Sequence, residues 1–140
     1  MATVTFSSKI ADWVRRVEGG AEAVFKESAQ EVVSQAQAMV PVATGFLRNS
    51  LLASTTAMPP INPAATGDGA GLGAWDDVAL VIAGAELGDT LFFGWTAAYS
   101  GYVHWGARGQ PPRPWVSMAA QRWPGIVADK TAELQKRLGL

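Results

Sequence analysis

A run of apolar residues at helical spacing, ending abruptly at a proline, constrains this chain more than any other feature. Val24, Ser28, Val32, Ala36 and Val40 fall four residues apart. Phe25, Ala29 and Val33 lie beside them, and Lys26, Glu27, Glu31 and Gln35 occupy the rest of the circumference. Such a stripe has to be covered, so the rest of the chain must supply apolar surface to pack on it. Pro41 stops the helix, because its ring disfavours helical backbone at Val40. Upstream, Ser8 can cap, and Asp12 suits the dipole of a first turn and reaches Arg16 four residues on. A helical pattern is therefore predicted from Ser8 to Met39, interrupted at Gly19-Gly20.

Beyond the turn at Val42 to Gly45 the residues become small and β-tolerant. Leu47 to Ala57 reads as a strand, with Leu47, Leu51, Ala53 and Thr55 on one face and Arg48, Ser50, Ser54 and Thr56 on the other. Met58 to Asp77 carries Pro59, Pro60, Pro63 and several glycines and reads as a long loop, of the kind that is usually functional or mobile. Val78 to Ala85 and Leu91 to Thr96 are short apolar runs around Glu86-Leu87-Gly88-Asp89-Thr90, the pattern of a hairpin. The three strands then form a meander. Ala97 to Trp105 reads as a short helix and Gly106 to Pro112 as a loop. A second helical stretch runs from Arg113 or Pro114 to Leu138, kinked or divided at Pro124-Gly125. The expected fold is a single α+β domain over residues 1–140, with a long N-terminal helix and a C-terminal helix packed on one face of a small antiparallel sheet.

A chain of 140 residues, 49% of them hydrophobic, buries roughly two-thirds of its unfolded surface and needs no metal or disulfide to hold a core. It has no cysteine, which excludes a disulfide framework, a thiolate nucleophile and Cys-ligated metal centres. With 11 basic and 12 acidic side chains it lacks the positive excess of a general DNA binder. Met1 to Lys9 has no signal-peptide pattern. The longest apolar run, Val78 to Ala85, falls far short of the roughly 18 to 20 residues of a membrane span. A cytoplasmic product with no membrane association is expected. Six tryptophans in a chain of low charge suggest a surface made to be covered by partners.

Little in the sequence looks catalytic. His104 is the single histidine, which excludes a multi-histidine metal site. As a catalytic base it would need a serine and an acid that nothing local supplies, so a packed or interface histidine is favoured. Asp76 and Asp77, adjacent at the entry to a strand, would point to opposite faces and read as solvated loop residues. A G-x-G-x-x-A match begins at Gly69 but follows prolines rather than a strand, so it is read as flexible loop and not as a dinucleotide site. No cofactor is expected. Arg108 and Arg113 lie among Tyr99, Tyr102, Trp105 and Trp115. Rings interleaved with arginines could stack nucleobases. They are also the residues that anchor protein contacts, and the balanced charge favours the latter. Trp95, and Trp115 with it, could instead fill the core.

Two segments together carry a resemblance. Val40-Pro41-Val42-Ala43-Thr44-Gly45-Phe46-Leu47-Arg48-Asn49-Ser50-Leu51 follows a long amphipathic helix. Ala98-Tyr99-Ser100-Gly101-Tyr102-Val103-His104-Trp105-Gly106 is followed by Gln110-Pro111-Pro112-Arg113-Pro114-Trp115-Val116 and a C-terminal helix. In this order they resemble the gene-product-ten-like head-tail joining family of tailed double-stranded DNA phages. His104 stands where that family has an acidic residue, Trp105 at a variable position and Ala107 in place of a threonine, departures that bear on partner identity rather than fold. The resemblance implies a non-enzymatic structural protein of the virion neck, made in the host cytoplasm and assembling as a homo-oligomeric ring. The ring would contact other neck, head-completion and tail-tube proteins and pass DNA only as cargo. Stopping the DNA, terminating the tail and completing the tail remain alternatives. The residues have physical roles consistent with this: Pro41 stops the helix, Thr44-Gly45 supplies a tight turn, Leu47 and Leu51 enter the sheet while Arg48 faces outward, and Arg113 sits on a stiff proline-flanked segment suited to a subunit contact.

Overall fold

A computed structural model describes residues 6–40, 46–62, 75–107 and 109–139. Its elements in chain order are α1 (Phe6–Met39), α2 (Phe46–Asn49), β1 (Leu51–Ser54), α3 (Trp75–Gly84), β2 (Phe92–Trp95), α4 (Ser100–Trp105), α5 (Trp115–Ala120) and α6 (Trp123–Leu138). The expected α+β class holds, with helices packed against a small antiparallel sheet. Pro41, Thr44 and Gly45, with the turn they were expected to form, lie outside the described residues. So do Arg108, the greater part of the Met58 to Asp77 loop and the G-x-G-x-x-A stretch.

α1 is one unbroken helix of 34 residues and the wall on which α3, α5 and α6 pack. The expected interruption at Gly19-Gly20 does not occur. Glycine is a poor helix former, costing about 1 kcal/mol against alanine, but Gly20 is buried where α6 crosses. A Cβ there would lie 2.8 Å from Leu134 Cδ2, so the missing side chain lets the two helices approach. Ala29, Val33, Ala36 and Val40 form the buried stripe of α1, meeting Leu47, Leu51, Val78, Ile82, Trp95, Ala97, Trp115 and Ala119 in one core.

Among the described residues the sheet has two strands, not three. β1 and β2 pair antiparallel, with Leu51 opposite Trp95 and Ser54 opposite Phe92. The segment expected as the middle strand, Val78 to Ala85, is mostly α3. Val78 and Ile82 are buried while Leu80 points to solvent. Residues 78, 80 and 82 would share a face in a strand, whereas burial at i and i+4 is the helical pattern. The turn expected at Glu86 to Thr90 is present, with the Glu86 N–H bonded to Asp89 Oδ2 at 2.7 Å and Gly88 at φ +98°, but it joins a helix to a strand.

The expected strand from Leu47 to Ala57 is also shorter. Its first residues form the helical turn α2, which buries Leu47, and the buried Leu51 opens β1. Past Ser54, the Ser54 hydroxyl accepts hydrogen bonds from the N–H groups of Thr56 and Ala57 and turns the chain away. The short helix expected before Gly106 is α4. The C-terminal stretch divides into two helices, with Pro124 in the first turn of α6 where a missing N–H leaves no gap. No helix among the described residues is long and apolar enough to cross a membrane.

The two adjacent glycines give a stability test. Gly19 is exposed with open space around it. Gly19→Ala should therefore stabilise the protein by about 0.5 to 1 kcal/mol in urea unfolding, and Gly20→Ala should gain less because Leu134 must move.

Candidate functional site

The two segments singled out in the sequence meet in the fold. The carbonyl of Ser50 accepts hydrogen bonds from the Thr96 N–H at 3.0 Å and from Thr96 Oγ1 at 2.8 Å, and all three groups are buried. Ser50 Oγ donates to the Leu47 carbonyl at 2.6 Å, closing the α2 turn. The expected outward placement of Ser50 beside Arg48 is therefore wrong for Ser50. A helical turn separates neighbouring side chains by about 100°, so Ser50 points inward while Arg48 remains exposed. Gln37 of α1 completes the junction. Its Nε2 donates to the Arg48 carbonyl and its Oε1 accepts the Trp95 indole N–H, both at 2.9 Å.

Directly after this junction comes α4, which has two unlike faces. Ser100 and His104, four residues apart, are buried, whereas Tyr102 and Trp105 are 68% and 74% exposed. Tyr99 lies at the edge, its phenol pKa pushed up by partial burial, with a hydrogen bond to the Leu47 backbone opposing the shift. The His104 ring sits edge-on between Trp105 at 4.4 Å and Trp115 at 5.3 Å, and Trp115 meets Trp95 at 5.7 Å in the same edge-to-face manner. Trp115 is only 2% exposed, so it belongs to the core as Trp95 does, and not to an exposed edge. Arg113 is exposed, with its N–H bonded to the Val103 carbonyl at 3.0 Å. Of the sequence-derived set, Tyr99, Tyr102, Trp105 and Arg113 thus reach the surface, while His104 and Trp115 are buried beneath them.

The connection from α4 to α5 needs a glycine. Gly106 takes φ +83°, and a Cβ there would stand 3.0 Å from the Gln110 carbonyl oxygen and from Pro112 N. This tight return brings Ser117 to His104. The Ser117 N–H, in the first turn of α5, donates to His104 Nε2 at 3.4 Å, and its hydroxyl lies 3.3 Å from the same nitrogen. A lone pair aimed at the start of a helix is favoured only while the imidazole is neutral. Burial accordingly pushes the His104 pKa below its ordinary 6.5. Among the described residues no carboxylate bonds the ring, and no group of three His, Asp or Glu is placed to hold a metal. The ring caps α5 and packs the junction.

Trp105 forms a ridge between two open grooves. One, of about 240 Å³, is bordered by Phe93, Gly94, Trp95, Gly101 and Val116. The other, of about 420 Å³, is bordered by Ile61, Ala98, Tyr102 and Gly106. Neither carries a charged side chain among the described residues. The rings were visible in the sequence, and Ser50 was singled out there as a motif residue on the wrong face, but Thr96, Gln37 and Ser117, which also position the rings, were not identified there. No protein-family model, curated protein or solved structure matches this chain.

Two measurements check this geometry. Thr96→Val keeps the shape and deletes one of the two hydrogen bonds to Ser50, and should cost about 1 kcal/mol in denaturant unfolding. A folded-state histidine pKa below the unfolded value means that the unfolded chain takes up the proton first. The His104 contribution is therefore intact above about pH 6.5 and lost as pH falls below it. Acidification through this window should lower the melting temperature, and His104→Gln should flatten that dependence.

Proposed function

We propose that this chain is a structural subunit of the head-tail joint of a tailed phage or phage-like particle. In this reading it assembles as a homo-oligomeric ring that links the capsid side to the tail tube and lets DNA pass. The observation that carries the proposal is the junction of the two segments on which the sequence resemblance rests. Ser50 of the first segment and Thr96, two residues before the second, lie 46 positions apart in the chain yet are tied by two buried hydrogen bonds, and Tyr99 of the second segment bonds the Leu47 backbone of the first. A pair of motifs joined in this way behaves as one structural unit, and that unit displays the uncharged rings of Tyr102 and Trp105.

The exposed rings have Arg113 beside Tyr99 and Tyr102, and one arginine in a chain of balanced charge supports a protein contact over a nucleic-acid site, because phosphate binding rests on several basic side chains. The role is non-enzymatic, with neck, head-completion and tail-tube proteins as neighbours and the virion neck as its location. Tail completion is the favoured task within the neck.

The test is electron microscopy of a lysate from a phage whose copy of this gene is stopped early, with a complemented control. Filled heads beside separate tails of normal length are expected. Overlong tails would reassign the chain as a tail terminator, and emptied heads as a DNA stopper. Intact infectious particles would overturn the reading.

A further inference from the structure

α1 extends well past the helix that covers it. α6 runs antiparallel along α1, with Arg122 bonded to Gln35, Arg137 to Glu27 and Leu134 against Gly20, and it ends where Arg16 Nη2 donates to the Leu138 carbonyl at 2.8 Å. Residues 6–15 therefore form an arm about 15 Å long that none of the described elements covers. Phe6, Ile10 and Trp13 make one apolar stripe along it, spaced four and three residues apart and continued by Val17 beside the end of α6, with Phe6 79% and Trp13 55% exposed. That is the anchor spacing of a helix that seats in a groove. A monomer rarely leaves such a surface in water.

The same chain carries a concave counterpart. The grooves flanking Trp105 are apolar, uncharged among their described residues, and bordered by Trp105, Tyr102 and Val116, all exposed. They lie at the opposite end of α1, where Gln37 bonds the groove residue Trp95. Between Ile10 and Gln37 the unbroken helix spans about 40 Å, so the arm cannot fold back into its own groove. The two surfaces also match in size. With aromatic side chains offering roughly 150 to 250 Å² each, arm and groove each expose on the order of 450 Å² of apolar side chain. Burial of part of that surface on each side places the contact near the low end of specific interfaces, about 600 Å² per partner.

We infer that the arm of one copy, through Phe6, Ile10 and Trp13, seats in the groove beside Trp105 of a second copy. The contact is head-to-tail, so it uses each surface once and propagates to a ring or a filament. An arm-to-arm pairing would leave the groove uncovered. Closure into a ring rests on the head-tail reading above, whereas the contact itself rests on the two surfaces.

Trp13→Glu and Trp105→Glu, at exposed positions, should each leave the fold intact, with a lowered melting temperature for Trp105→Glu alone because its ring packs on His104. Measured by sedimentation with wild type at millimolar protein, each should weaken self-association about 30-fold or more, the scale of a lost tryptophan anchor. Mixed together, the variants retain one intact arm and one intact groove and should form a 1:1 heterodimer and nothing larger. A photo-reactive benzoyl-phenylalanine at position 13 should cross-link to residues 93–116 of another copy. The inference is overturned by a wild type that stays monomeric, by association that survives either substitution, by a mixture that stays monomeric, or by cross-links confined to the arm. If the heterodimer forms while the lysate shows intact particles, the contact stands and the head-tail reading fails.

Discussion

The carbonyl of Ser50 accepts both hydrogen bonds that Thr96 can donate, and the arrangement of the surface depends on that pair. The three groups are sealed from water, and leaving a buried carbonyl without its donors costs about 1 to 3 kcal/mol. Once the pair forms, the next residues along each segment are committed. Leu51 must face Trp95 across the sheet, and Thr96 offers its own carbonyl to the Asn62 N–H at 2.8 Å. Trp95 then reaches Gln37 with its indole N–H and presents its ring to the edge of Trp115. Trp115 in turn supports His104, and His104 supports Trp105. The exposed ridge is thus the last member of a chain of packed rings that begins at a hydrogen bond in the core.

α1 gives that chain of contacts its fixed frame. Helices in proteins draw most of their stability from packing, and this one of 34 residues draws it from the stripe Ala29, Val33, Ala36 and Val40 buried against the other elements. Gly20 shows how local propensity and packing were balanced. The helix accepts a weak former at the one place where α6 must come close, and the ion pair of Arg137 with Glu27 and the bond from Arg16 to the Leu138 carbonyl lie on either side. The consequence is a stiff rod whose two ends carry different surfaces.

What could be read from the sequence followed the length of the periodic signal. The stripe from Val24 to Val40 spans several turns and admits one reading, so the helix and its burial were legible. Val78 to Ala85 is uniformly apolar, a pattern that fits a buried strand or a short helix equally, and only packing against β1 and α1 decides between them. Leu47 and Leu51 are four apart, which is compatible with either period, and the strand assignment for residues 47–50 carried Ser50 to the wrong face. At the candidate site the residue types were legible and their burial was not. His104 and Trp105 are neighbours in α4, so a rotation of about 100° puts one in the core and the other in solvent, and the short sequence contains no signal for the phase. Ser117 and Gln37 were not legible as parts of the site, because their partners are distant in the chain.

Charge balance and aromatic exposure acquire a joint meaning under the proposed role. A subunit that forms a ring around moving DNA must hold its neighbours firmly without holding the DNA. Contacts built from arginine and lysine would serve the first need at the expense of the second, since the same cations bind phosphate and weaken with salt. Apolar contacts avoid the conflict, because their strength comes from excluded water and they present little to a phosphate backbone. A stripe of Phe6, Ile10 and Trp13 meeting the ridge at Trp105 would satisfy both requirements, and the net charge of -1 over 140 residues is the composition such a design leads to.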